Sequence, residues 1–283
     1  MLKRPTTRLW QPTSRWSCAV YAYLSRSTLD CGLGGKELDN RFPASSFISL
    51  HWFYVGSAEL LSRDDTLPAR VLPRRLLIGR QGPVVTRSRG DIVYFGVSMY
   101  PDAFAAAFGV SPQEIDGQFL DADEVLSPQG IALFDAIGVA ATDAERSALF
   151  EEFLETHIAG FKVSLWTAAI RAGMRISVNV LARLLNVGPR QTIRRTRDAL
   201  GVGVADLRKF ARGEAAFNEL NARLEASQDV SLADIAAQVG YADQAHLSRE
   251  CKLVTGRTPG EFLRELEEEE SAWIYRASKS RRP

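Results

Sequence analysis

Residues 231–264, SLADIAAQVGYADQAHLSRECKLVTGRTPGEFLR, carry side chains able to hydrogen-bond to the edges of base pairs. Gln244, His246, Ser248, Arg249 and Lys252 fall on one face of a helical repeat, opposite Leu247, Cys251 and Val254. Arginine can donate two bonds to guanine O6 and N7, and glutamine can pair with adenine N6 and N7. A second, more basic set lies upstream at Arg190, Gln191, Arg194, Arg195 and Arg197. Such groups read a major groove only if each set rides on the second helix of a tight two-helix unit.

The surrounding residues predict such units. Ser231 can cap a helix whose apolar face is Leu232, Ile235, Ala236 and Val239, and Gly240 suits the left-handed position that ends it. Asp243 can cap the helix that follows. Upstream, Val178, Val180, Leu181, Leu184 and Leu185 form one apolar face, Asn186-Val187-Gly188 make a turn, and Pro189 suits a first helical position. Aligning Ala182 with Ala236 and Gly201 with Gly256 makes the two units an internal duplication, with one extra residue in the second turn.

The run Gly240-Tyr241-Ala242-Asp243-Gln244, with Leu247, Arg249, Lys252, Gly256, Thr258, Pro259, Phe262 and Arg264, closely resembles the signature of AraC/XylS-type transcription regulators. Leu247 and Cys251 stand where that family usually has Phe; both keep the position apolar. The resemblance implies an all-α DNA-binding domain over 164–266, with helix-turn-helix units at 177–201 and 231–256 joined by a linker helix at 204–224. Phe210, Phe217, Leu220 and Leu224 would line the buried side of that helix. Helical phase on the two second helices makes Arg190, Gln191, Arg194, Gln244, His246 and Arg249 the expected base readers. Arg195, Arg197, Ser248, Lys252, Arg257 and Thr258 would contact phosphates or support helix ends. The first unit departs from the family at Thr192 and Thr196, where a Leu and a Phe are usual; each buried hydroxyl then needs a hydrogen-bond partner.

Charge is divided along the chain. Residues 171–264 hold fifteen Lys or Arg against ten Asp or Glu, a net +5, whereas residues 1–170 hold sixteen against nineteen, a net −3. A basic module following an acidic one fits a DNA reader attached to a sensor. No run of about 18 apolar residues suggests a membrane span. Charges and prolines interrupt the N-terminal apolar stretch too early for a secretion signal. Cys18, Cys31 and Cys251 form no CxxC pair, as expected of a reducing compartment. His51, His157 and His246 show no metal spacing, and neither a GxSxG nor a phosphate-loop pattern occurs. No catalytic residue, metal or cofactor is therefore expected, and no ligand contact can be named.

The N-terminal part reads as α+β. Residues 1–45 lack a period and are expected to be poorly defined. Strands are expected at 46–55, 71–78 and 91–99, from their β-branched and aromatic content. Helices are expected at 103–108, 111–115, 128–139 and 143–159. The runs HWFYVG and GVSMYPDAFAAAFGVSPQEI resemble a sensor domain found on some AraC-like regulators, in which a small β-barrel precedes helices. The sensor is expected to span 46–160, and 267–283 to form a charged tail, with 265–270 as a solvated helix end. The resulting expectation is a cytoplasmic, sequence-specific regulator of duplex DNA, controlled by a small-molecule effector or by homodimerisation, with RNA polymerase as a partner. The alternatives are a protein-interaction module with a degenerate first unit, or a small-molecule-binding enzyme.

Overall fold

The computed structural model describes residues 2–61, 70–163 and 231–279, with isolated positions between 188 and 219. Among the described residues, ten strands run through the N-terminal half: β1 (Thr6–Trp10), β2 (Val20–Ser27), β3 (Asp39–Phe42), β4 (Ile48–Val55), β5 (Ala58–Leu61), β6 (Arg70–Val71), β7 (Arg75–Ile78), β8 (Val84–Ser88), β9 (Val93–Met99) and β10 (Phe119–Asp121). The helices with both ends among the described residues are α1 (Pro101–Phe108), α2 (Ala122–Val125), α3 (Pro128–Val139), α4 (Asp143–Ile158), α5 (Leu232–Val239), α6 (Gln244–Thr255), α7 (Pro259–Glu268) and α8 (Trp273–Lys279).

The strands form two antiparallel sheets, ordered β1-β2-β9-β4-β7-β10 and β3-β8-β5-β6. The expected α+β domain is present, but its strands make two open sheets among the described residues, not a closed barrel. The central strands explain this, because both of their faces are covered. Register pairs Trp52 with Phe95 and Leu50 with Val97, and these side chains pack under the helices with Phe104, Phe134 and Phe150. On the opposite face of the sheet, Phe53 of β4 and Leu76 of β7 meet Ala58, Leu60 and Val84 of the second sheet.

The helices are seated by caps and by polar anchors from the sheet. Ser127 and Thr142 cap α3 and α4, accepting from the N–H groups of Gly130 and Glu145. Trp52 stacks on Phe134 at 4.1 Å and donates its indole N–H to the Phe134 carbonyl at 3.1 Å. The Tyr54 hydroxyl donates to the Ile137 carbonyl at 2.9 Å.

Three expectations are corrected. Residues 1–45 contain β1, β2 and β3, and Val20 and Tyr23 are fully buried. Their pattern is hard to see because β2 buries side chains on both faces, so apolar and polar residues do not alternate. Residues 111–115 form turns rather than a helix, closed by Glu114 N–H to Ser111 and Gln118 N–H to Ile115; Gly117 follows with φ 70°. The segment from residue 265 onward is neither a solvated helix end nor a free tail. Glu265 is buried, a short 3-10 turn spans Glu270–Ala272, and α8 carries Trp273 into the N-terminal sheets with 3% exposure. The acidic side chains are matched by arginines distant in sequence: Arg26 meets Glu270 at 2.6 Å, and Arg41 meets Glu265 at 3.5 Å. That pairing cannot be read from the run itself.

His51 lies opposite Gly96 on β9, and a Cβ at residue 96 would stand 2.8 Å from its Nδ1. Burial pulls the His51 pKa down to about 4. An unfolded histidine titrates near 6.5, so between these values the unfolded chain binds more protons than the native one. Stability is therefore full above about pH 6.5 and is lost as pH falls toward 4, by at most about 3 kcal/mol from this group. Urea midpoints at pH 7.5 and 4.5 check this. The wild type should lose clearly more than His51→Gln; an equal loss in both would show that His51 is not the cause.

Candidate nucleic-acid interface

The second two-helix unit is built as its residues predict. The Ser231 hydroxyl accepts from the Asp234 N–H at 3.2 Å and starts α5, whose Ile235 and Ala236 are buried. Gly240 ends it at φ 82°, in the left-handed region where a side chain would be strained. Asp243 Oδ1 accepts from the His246 N–H at 2.6 Å and starts α6. Leu247, 1% exposed, packs with Ile235, Ala236, Tyr241 and Ala216. Gly256 ends α6 at φ 77°, and Thr258 with Glu261 makes a capping box that starts α7. The backbone and side-chain bonds from Thr258 hold the Glu261 carboxyl below its usual range.

This frame presents Gln244, Arg249 and Lys252 as exposed side chains of α6, with Ser248 half-buried among them. Arg249 and Lys252 make no ion pair among the described residues, so their charges stay open to an anion. His246 is turned partly inward. Its Nε2 lies 3.3 Å from Glu250 Oε1 and its ring meets Tyr241 edge-on at 5.2 Å, leaving the side chain 37% exposed. Arg257 is not a free cation, because its Nε donates to Glu265 at 2.6 Å. Thr258 serves the start of α7.

In the first unit, positions 190, 191, 193 and 194 are helical, with Arg190 and Arg194 exposed and Gln191 half-buried. Arg195, Arg197, Thr192 and Thr196 lie outside the described residues, as does most of the helix-turn-helix expected at 177–201. Arg212, Ala216 and Glu219 are helical positions within the expected linker helix at 204–224; the rest of it lies outside the described residues.

Sequence reasoning missed Glu250. It is 5% exposed and receives the Arg212 guanidinium through Nη2 at 2.5 Å and Nε at 3.2 Å. Burial alone would raise its pKa, but the bonds and charge of Arg212 outweigh burial and hold it low. The same burial raises the Tyr241 hydroxyl, and Arg212 lies over the Tyr241 ring at 5.6 Å. A glutamate three residues after Leu247, in the apolar phase of α6, was the available signal.

The far end of α6 rests on the N-terminal domain. The Ala44 N–H donates to the Val254 carbonyl at 2.7 Å, and Pro83 stands against Gly256.

Residues 181–265 match a family model described as a helix-turn-helix domain. No curated protein matches the chain. Among solved structures, it is similar to ToxT from Vibrio cholerae O395, with TM-score 0.43 and 14% identity over 81% of this chain and 98% of that one. ToxT from the same strain bound to (E)-4-(8-methylnaphthalen-1-yl)but-3-enoic acid gives TM-score 0.47 and 12% identity over 93% and 100%. A 1.65 Å structure of ToxT from Vibrio cholerae gives 0.43 and 11% over 92% and 98%.

Proposed function

We propose that this chain, whose residues 181–265 match a helix-turn-helix family model, is an AraC-type transcription regulator that reads two adjacent major-groove segments of duplex DNA. The observation that carries the reading is α6: a capped second helix with Gln244, Arg249 and Lys252 exposed and without ion pairs among the described residues. Gln244 and Arg249 are the base readers, and Lys252 meets phosphate, since a flexible ammonium serves as a point charge. Arg190, Gln191 and Arg194 would read the first segment, about 34 Å away along one face of the duplex. Arg195 and Arg197 would support them at phosphates. His246 reaches the bases only if its ring leaves Glu250, so it ranks behind Arg249.

The N-terminal two-sheet domain is the controlling module in this reading. Phe53, Leu60, Ile78 and Val84 stay only partly buried where the sheets face each other, and His51 lies on the same face of β4 as Phe53. The proposed effector is small and apolar with one hydrogen-bonding group, since these side chains are apolar and neutral imidazole can donate or accept. A DNA-binding domain over 164–266, RNA polymerase as a partner, homodimerisation and a cytoplasmic location complete the proposal. No helix among the described residues is long and apolar enough to cross a membrane.

Arg249→Ala is expected to weaken binding by about 1–3 kcal/mol and to relax preference at one base position. Competition with duplexes altered at single positions checks it. Equal weakening on every sequence would make Arg249 a phosphate contact. Binding should also fall steeply with salt, as counterion release requires. An interaction insensitive to salt would favour a protein-interaction module instead.

A further inference from the structure

We propose that residues 265–279 form a latch that ties the second reading helix to the two-sheet domain and restrains DNA binding, with Trp273 as its central contact. The inference rests on the regulator reading and names how that regulator is controlled.

Trp273 touches both sheets at once. Its ring meets Phe42 of β3 edge-on at 5.7 Å and Tyr94 of β9 at 6.3 Å, and its indole N–H donates to Asn40 Oδ1 at 2.8 Å. Tyr94 in turn lies 5.9 Å from His51 and 5.6 Å from Phe53, the residues that face the space between the sheets. A change in sheet separation must therefore be felt at Trp273, because packed aromatic contacts do not stretch. Arg26 fastens the same point. Its side chain is 2% exposed, lies 4.4 Å from the Trp273 ring centre, and donates to Glu270 at 2.6 Å and Thr7 at 2.8 Å.

The latch is stiff enough to pass this on. Arg276 donates to the Glu269 carbonyl at 2.7 Å and to Glu270 at 3.1 Å, bracing the turn between α7 and α8. Arg257 ties the end of α6 to Glu265 of α7. The Ala44 to Val254 bond then closes the circuit back to the N-terminal domain.

Charge gives the sign. The arginines that hold Glu265, Glu269 and Glu270 neutralise them, but the latched state keeps the end of α6 against an N-terminal domain of net negative charge. Duplex phosphates approaching Lys252 and Arg249 are repelled by that body. The bases remain reachable, since Gln244 and Arg249 are exposed while latched. The latch therefore lowers affinity without blocking the reading face.

The test uses the full-length chain, duplexes recovered by the wild type from a random pool, and two variants that break the latch from opposite sides, Trp273→Ala and Arg26→Leu. Hydrogen exchange over residues 265–279 reports release, and exchange over β4 and β9 reports that the sheets stay folded. Both variants should exchange about tenfold faster in the latch and bind DNA about fivefold tighter or more, with β4 and β9 unchanged. Unchanged or weaker affinity in a released variant overturns the proposal, as does a latch that stays fully protected in both. If the wild type recovers no duplex, the regulator reading falls and the latch proposal with it. Recovery by the wild type with unchanged variants sinks the latch alone.

Discussion

Arg212→Ala is expected to destabilise the DNA-binding half by about 3 kcal/mol or more and to abolish tight DNA binding. Glu250 lies on the buried face of α6 with its side chain 7% exposed, and the Arg212 guanidinium is its principal counter-charge. Removing Arg212 leaves a buried carboxylate with only the neutral Tyr241 hydroxyl and His246, at 3.3 Å, beside it. The carboxylate must then take up a proton or draw in water, and either shifts the helix that carries Gln244 and Arg249. Breaking such a pair costs far more than replacing both members by apolar groups of similar size. Arg212→Met with Glu250→Leu should therefore regain most of the lost stability. Chemical denaturation of the three proteins measures this. An Arg212→Ala variant within about 1 kcal/mol of wild type would show that the pair does not hold the unit together.

Phe95→Ala is expected to cost about 4 kcal/mol in the N-terminal domain. Phe95 is fully buried on β9, with the rings of Trp52, Tyr23 and Trp10 at 5.6, 6.0 and 6.0 Å. Strand β9 lies between β2 and β4 in the larger sheet, so the cavity cannot close by movement of an edge. Leu247 and its neighbours form a separate cluster in the DNA-binding half, which should stay folded. Urea unfolding followed by tryptophan fluorescence measures the loss. A cost under about 1 kcal/mol would mean that the site collapses freely.

The second two-helix unit was legible because its signals are local. Ser231, Gly240, Asp243, Gly256 and Thr258 each do what their chemistry favours, and Ile235, Ala236 and Leu247 recur at helical spacing. Strands β4 and β9 could be found from their aromatic and branched residues, but the architecture could not. Strands covered on both faces lose the alternation that would mark an inside and an outside, so two stacked sheets and a closed barrel look alike in the sequence. The contacts that organise the molecule join distant residues. Arg212 meets Glu250 across 38 positions, Arg26 meets Glu270 across 244, and Asn40 meets Trp273 across 233. A glutamate-rich run looks solvated until its arginines are brought to it.

Selection of random duplex DNA by the full-length protein at near-physiological salt tests the central claim most directly. A recovered motif with two half-sites about one helical turn apart is the predicted result. A single short half-site would mean that Arg190, Gln191 and Arg194 do not read bases. No enrichment would contradict the account, because an exposed, correctly capped α6 should then have found its sequence.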